Sequence, residues 1–438
     1  MNFAQQQDAA TEAVIQVIEA GQSAYGPNVT APTTLVNTVG FSYSSDVLQL
    51  GDAFSVQVPN PRGKYTDKFI RGQTIQLFLR NPNVNGNRLT LKHLGIIVRR
   101  RQSCSASGTS IQLDCADLGW HLAHNDAPLW FRLQEAKLIT LLQDPAWIDP
   151  SWGFRGIAAD NATNRLLRQG VNNGRAQAAI DLYSALGVLV YIQVEPGDKV
   201  ADILSQYCRR INRLVNVSCD GYLQVWQPDF DQTPKFRIEL HDWDDPARNT
   251  NDVLDCYVEE DISTIWTNVT CVGEMVGGDL TLDPANQNAT KRRGDFVSKN
   301  ALPFKHTNNF AEGDVFNGAD ARAMALWRYL RGIFESWQAV YVVRGHWQQK
   351  DPQSRAYWWE SDSMCSVDDR VNGLLGNFYV SSVRCDRDEL GDRTTVTLRK
   401  PCLQASYGVF KRPPRIKGSV VDYTGTTTTV GTKTEVSR

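Results

Sequence analysis

His121 and His124 stand three residues apart, with Asp126 close behind. On a helix that spacing turns both imidazoles to one side, where with the carboxylate they could share a metal ion. Pro128 cuts any such helix short, so surface or packing histidines are the favoured reading. Asp242, Asp244 and Asp245 cluster around Trp243. Alternating carboxylates can hold calcium, but the loop that does so needs a glycine and a bidentate acid at fixed later positions, and these are missing. A solvated turn is expected. Tyr357-Trp358-Trp359 could stack on a sugar, yet Trp is equally at home in cores and at protein–protein anchors. Arg99-Arg100-Arg101 is a local basic patch whose duller reading is a solvated strand end. Cys385-Asp386-Arg387-Asp388-Glu389 lies between two alternating runs and reads as a hairpin turn.

No Gly-x-Ser-x-Gly nucleophile elbow and no Walker-type phosphate loop occurs. Glycosidase carboxylates can lie far apart in sequence, and nothing here favours a pair. The nine cysteines, at 104, 115, 208, 219, 256, 271, 365, 385 and 402, include no Cys-x-x-Cys. A structural zinc is therefore disfavoured, and reduced, largely buried thiols are expected. No residue is assigned to catalysis, to a cofactor or to a metal, and the reading is non-enzymatic.

The elements around these residues are mostly strands. Short alternating runs with turn chemistry between them fill residues 41–115: Phe54, Val56, Val58, then Ile75, Leu77, Leu79, then Ile111, Leu113, Cys115. Such a pattern indicates a β-barrel or sandwich. Residues 8–21 place Ala10, Val14, Val17, Ile18 and Gly21 at helical spacing and predict a short amphipathic helix. Residues 117–196 are rich in Trp, with helical pieces expected near 133–143 and 160–185 and a strand over 186–194. Pro196-Gly197-Asp198 opens a helix striped by Val200, Ile203, Leu204, Tyr207, Cys208 and Ile211, with Asp198 as its expected N-cap. A strand, Tyr222-Leu223-Gln224-Val225-Trp226, follows. Strands resume at 253–258 and 268–272, and residues 275–318 read as a long polar loop. Ala323, Leu326, Trp327, Leu330, Phe334 and Trp337 share a helix face. Residues 378–384 and 394–398 pair across 388–392, and the Gly- and Thr-rich tail after Lys411 reads as a flexible or strand-donating extension.

The 438 residues suggest two to four domains. A hydrophobic content of 42% is enough for real cores, and a formal net charge of -2 gives no overall pull toward nucleic acid or anionic membrane. No apolar run approaches the ~20 residues of a membrane-spanning helix. The first residues lack the basic region and apolar core of a secretory signal, so folding in a cytoplasm is expected.

The order of segments carries a resemblance. A β-rich module leads to the unit GDKVADILSQYCRRINRLVNVSCDGYLQVW, then a strand pair, VLDCYVEEDISTIWTNVTCVGE, and a helix, ADARAMALWRYLRGIF. The module that ends in GLLGNFYVSSVRCDRDELGDRTTVTLRKP closes the series. This order, over roughly residues 40–402, resembles the Mu-type baseplate hub proteins of contractile (myovirus) phage tails, related to the hub part of type VI secretion spikes. An N-terminal helix and a Thr-rich tail would depart from that pattern. The resemblance implies an α+β, mainly β fold: two tail-tube-like β-barrel domains with small α/β domains between them. Its division of the chain is 1–27 helix and linker, 28–118 first barrel, 119–195 Trp-rich insertion, 196–232 helix–strand unit, 233–410 second barrel and 411–438 tail. It further implies a homotrimeric, pseudo-sixfold ring in the virion baseplate, assembled in the bacterial host cytoplasm. The ring would join the hexameric tail tube to the trimeric central spike. Its other partners would be baseplate wedge proteins and the tape measure protein. DNA would cross its lumen only transiently, with no stable membrane insertion. Two alternatives stand beside it: a tail-associated cell-wall hydrolase and a carbohydrate-binding receptor protein.

Overall fold

A computed structural model describes residues 11–18, 35–105, 108–129, 134–158, 189–192, 194–210, 214–226, 228, 230, 232–241, 253–273, 293–297, 302–312, 318–350, 354–388, 391–400, 419–421 and 427–429. Seven strands come first: β1 (Glu12–Val17), β2 (Leu35–Asn37), β3 (Gly40–Asp46), β4 (Ala53–Pro59), β5 (Thr74–Arg80), β6 (Thr90–Ser105) and β7 (Gly108–Asp117). A short helix, α1 (Gly119–His124), opens a middle region with β8 (Gln134–Lys137), α2 (Leu138–Gln143), β9 (Gly156–Ala158), β10 (Leu189–Ile192), α3 (Val200–Arg210), β11 (Leu214–Val217) and β12 (Tyr222–Trp226). Then come β13 (Phe236–Leu240), β14 (Val253–Glu260), β15 (Asn268–Gly273), β16 (Arg293–Val297), β17 (Thr307–Glu312) and the long helix α4 (Gly318–Glu335). The series ends with β18 (Trp337–Arg344), β19 (Trp347–Gln348), β20 (Tyr357–Trp358), β21 (Ser363–Asp369), β22 (Leu374–Asp388), β23 (Gly391–Arg399), β24 (Ser419–Val421) and β25 (Thr427–Thr429).

The chain is mainly β. Thirteen strands share one sheet in the order β14-β18-β23-β22-β3-β4-β7-β6-β5-β1-β2, with β21 joined to β22 and β13 to β21. Within it, two sets of six strands repeat one plan. In chain order the first set is β1, β3, β4, β5, β6, β7 and the second is β13, β14, β18, β21, β22, β23. In both, the lateral order is second, third, sixth, fifth, fourth, first. The fifth and sixth strands of each set form matching hairpins, ending at Ser105 opposite Gly108 and at Asp388 opposite Gly391. Each hairpin carries one bulge at the same place, Val98 in β6 and Ser381 in β22. A bulge bends its strand and increases the local twist, which curves a sheet.

The two sets differ at their rims. In the first, β2 pairs with β1 and runs through Thr38 and Val39 into β3. Thr38 N–H donates to Ala13 O at 3.1 Å and Val39 N–H to Gln57 O at 2.9 Å, so the run of hydrogen bonds comes back to the strand it started from. In the second, β13 joins β21 in parallel, whereas β1 joins β5 antiparallel. One apolar core serves both sets, with Val56, Ile75 and Leu113 in the same cluster as Tyr341, Val383 and Val396. Each such side chain contributes roughly 1.5–3 kcal/mol by leaving water. A second core under the middle region gathers Leu122, Trp147, Leu204, Leu223 and Val225.

Several expectations are corrected here. Residues 12–17 form a strand, not a helix, and both of its edges are paired, with β2 and β5. Val14, Ile15 and Val17 branch at Cβ, which crowds a helical turn and suits a pleat. Ala13, Val14 and Ile15 are buried in succession, so the period of two that marks a half-buried strand is absent. The segments at 253–258 and 268–272 do not pair with each other: β14 lies against β18, while β15 sits between β16 and β17 in a separate sheet. The polar stretch 275–318 is not one loop, since it holds β16 and β17. Their sheet keeps one face wet, and α4 covers the other by packing Ala321, Met324 and Ala325 on Val269 and Cys271. Residues 134–137, expected in a helix, are strand β8. Asp198 does not cap α3: its carboxylate accepts Glu195 N–H at 2.8 Å, and Lys199 O takes the first helical N–H groups. The helix expected at 160–185 lies outside the described residues. In the tail, β24 pairs with β25.

Candidate assembly surfaces

The two six-strand sets meet in a seam. The first half of β22 pairs with β21, and after the bulge at Ser381 the second half turns to β3, from Ser382 opposite Asp46 to Arg387 opposite Phe41. Val383 and Cys385 point into the core beside Phe41 and Tyr43, and all four are buried. Burial raises the Cys385 thiol to about 11, which makes it a packing group and not a nucleophile. His346, fully buried, tilts against Phe41 at 5.1 Å, and its Nε2 lies 3.0 Å from Asp386 O. The amino-terminal strand is fastened to the same place. Thr11 N–H donates to Asp392 Oδ2 at 2.9 Å, and Arg387 donates to Thr11 O.

Two strand edges have no equivalent cover. Beyond Val98, β6 pairs with β7 on one side, and among the described residues no strand meets its other side. β14 pairs with β18 alone and ends the sheet among the described residues. Both edges expose apolar groups: Val98 at 40%, Leu254 at 42%, Tyr257 at 53% and Val258 at 36%. Unpaired backbone with apolar side chains is a template for another strand, and proteins usually blunt it. The charges differ in sign. β6 presents Arg99, Arg100 and Arg101, while β14 carries Asp255, Glu259 and Glu260 and runs into Asp261. Arg100 Nη2 donates to Thr66 O at 2.6 Å, but its Nε is buried with no acceptor.

The residues singled out by type do not converge. His124 stacks on Trp120 at 4.3 Å, His121 stacks on Trp152 at 5.5 Å, and Asp126 pairs with Lys199. Among the described residues no group of three metal-ligating side chains gathers. Asp242, Asp244 and Asp245 lie outside the described residues. Trp358 and Trp359 are buried, Trp359 stacking on Phe236 at 4.2 Å, so neither offers a sugar platform. Five of the eight described cysteines are buried, and Cys104 and Cys219 are exposed. Among the described residues no helix is long and apolar enough to cross a membrane.

Two buried titratable groups near β3 and β4 carry no sequence signal. His93 lies between the rings of Tyr43 and Phe54, at 5.2 and 5.5 Å, and burial lowers it to about 3. Asp117 braces the turn between β3 and β4, accepting Asp52 N–H at 3.0 Å and Gly119 N–H at 2.8 Å. Burial raises Asp52 to about 7 and holds Asp117 well above the carboxylate range. The exposed acidic edge of β14 has no sequence signal for a different reason: its residues read as an ordinary strand, and only the pairing shows one side bare among the described residues.

No family model matches the sequence, and no curated protein does. Solved structures do. The tail protein from Neisseria meningitidis MC58 matches 90% of this chain over 98% of its own, with a TM-score of 0.62 and 15% identity. The 43 kDa tail protein of prophage MuSo2 from Shewanella oneidensis matches 90% over 99%, with a TM-score of 0.61 and 13% identity. A chain of the Francisella PdpA–VgrG complex matches with a TM-score of 0.51 and 11% identity, and there the match spans 58% of that chain. The fold of this protein is therefore that of phage tail proteins and of part of a VgrG-complex chain.

Proposed function

We propose that this chain is a structural baseplate hub protein of a contractile phage tail. Three copies form a pseudo-sixfold ring that joins the hexameric tail tube to the trimeric central spike and lets DNA pass on ejection. The observation that carries this reading is the double use of one six-strand order in a single chain, with both sets joined edge to edge at the seam of β22 and β3. Two like units per copy make three copies present six near-equivalent positions, and closed symmetry is the usual way to satisfy such edges. The returned hydrogen bonding of β1 through β3 supports a barrel at 28–118, completed by β1, and the second set supports one within 233–410. The mechanism is symmetry matching and the transmission of force, with no bond made or broken and no cofactor. The fold shared with tail proteins supports a place in the virion tail, with tube, spike, wedge and tape measure proteins as neighbours.

The test is to purify the chain, weigh it by native mass spectrometry and image it with its cognate tail-tube protein. A three-copy ring stacked on the tube is expected. A monomer at micromolar concentration, a peripheral position on the particle, or turnover of peptidoglycan would each count against the reading.

A further inference from the structure

The seam inside one chain contains the instructions for a joint between chains. In the seam, β22, the fifth strand of the second set, pairs with β3, the second strand of the first set. The reciprocal pair would be β6, the fifth strand of the first set, with β14, the second strand of the second set. These are the two edges that stand uncovered among the described residues. We infer that residues 99–104 of one copy pair antiparallel with residues 256–261 of a second copy of this chain, an inference that rests on the ring proposed above.

The register follows from residues on both sides. The bulges make Ser381 equivalent to Val98, so Ser382 corresponds to Arg99 and Arg387 to Cys104. Phe54 opposes Cys115 as Ala339 opposes Leu398, and these strands carry Tyr43 and Val258 respectively as the next partners outward. Tyr43 is thus equivalent to Val258, Phe41 to Cys256 and Asp46 to Asp261. An independent feature agrees: each of those two aspartates accepts the backbone N–H two residues on, Leu48 and Ser263, at 2.8 Å in both cases.

Transferring the seam register then puts Arg99 opposite Asp261, Arg100 opposite Glu260, Arg101 opposite Glu259 and Cys104 opposite Cys256. Three arginines meet three acids with no adjustment, and opposite charges across a strand pair stabilise it while like charges do the reverse. The orphaned Arg100 Nε would gain an acceptor in Glu260, which in the single chain faces Lys400, at 3.7 Å. Tyr257 and Val258 would be covered by Ser103 and Gln102, as β22 covers Ser42 and Tyr43. β3, which has its partner, buries Tyr43, whereas β14, which lacks one among the described residues, leaves the equivalent Val258 in water.

The two facing cysteines supply the experiment. Cys104→Ser and Cys256→Ser copies of the full chain are co-expressed, purified and oxidised with diamide, which takes up the two electrons and two protons released as the thiols join. A covalent dimer is expected, and peptide mass mapping should join Cys104 of one copy to Cys256 of the other. Neither variant alone should give that link, and the unsubstituted chain should give covalent trimers. Separately, Arg101→Glu should weaken assembly by roughly tenfold or more, and Arg101→Glu with Glu259→Arg should restore it. A native-mass trimer without the Cys104–Cys256 link, or a charge swap that fails to rescue, overturns this pairing and leaves the ring standing. A chain that stays monomeric and unlinked overturns both.

Discussion

β3 and β14 hold the same position in the same strand order, and their surfaces are unlike. β3 is flanked by β4 and β22 and hides Phe41 and Tyr43. Among the described residues β14 has β18 on one side only, and six of its eight residues are exposed. The connections differ as well. Six residues, 47–52, carry the chain from β3 to β4, whereas β15, β16, β17 and α4 intervene between β14 and β18. What the comparison teaches is that exposure here reports which neighbour is present, not what the strand is. An apolar residue in water at an edge strand marks a missing partner when its internal counterpart is covered.

The comparison can be broken most severely at the seam. Val383→Asp would place an unpaired carboxylate in the shared core, costing roughly 4 kcal/mol or more. Hydrogen exchange should then show β4 and β18 losing protection together; if only β18 does, the two sets are independent units. Acid should separate them next. His93, in the first set, stays neutral when folded down to about pH 3, while its unfolded form takes up a proton below about 6.5. Its folded value is depressed, so stability is full above the unfolded value of about 6.5 and falls with pH below it by about 1.4 kcal/mol per unit, or ~2 kcal/mol at pH 5. His93→Gln should flatten the loss measured by urea denaturation between pH 7 and pH 5. In the second set, Tyr341 OH donates to the buried Asp369 at 2.6 Å. Tyr341→Phe should cost about 1–2 kcal/mol and lower the thermal midpoint without changing the oligomer, because Asn372 still donates to Asp369.

Asp52 runs in the opposite direction to His93. Its folded value is raised to about 7, so its stabilisation is complete below about pH 4 and fades as pH climbs through 7. Asp52→Asn should remove about 2 kcal/mol of that decline between pH 5 and pH 7, read from the same denaturation series. The smallest effect is expected at Glu12. It pairs with Arg80 on the surface, with side chains 53% and 37% exposed, so Glu12→Ala should change stability by less than about 1 kcal/mol. A larger loss would mean that β1 is held by that ion pair and not by its backbone.

Most strands were legible because one face of each is buried, which writes a period of two: Phe54, Val56 and Val58, or Ile75, Leu77 and Leu79. The hairpin from β22 to β23 is legible for the same reason, although Cys385 to Asp388, expected in its turn, belong to β22 and pair with β23, and α3 and α4 are legible from their stripes. β1 was not, since both faces are covered and its apolar residues run on without alternation. Nor were β16 and β17, whose sheet turns a polar face outward. The assembly edges were half legible. Arg99-Arg100-Arg101 reads locally as a solvated strand end, and nothing in the local sequence announces that Glu259, Glu260 and Asp261 lie at the equivalent position of the other set. That relation appears only when one six-strand set is laid over the other.

The bond from Thr11 to Asp392 spans 381 positions of the chain. A growing polypeptide can pair its first strand with β2 and β5 early, but the tie from Thr11 to Asp392, like the seam between β3 and β22, must wait until nearly all of the chain has left the ribosome. Contacts of such sequence separation form late and slow the search for the native state. Through that interval the edges of β3 and β14 are both bare, and they are the places where a newly made copy is most open to pairing with the wrong strand. Final closure of each copy covers the edge of β3, and of these two edges only β14 stays bare among the described residues.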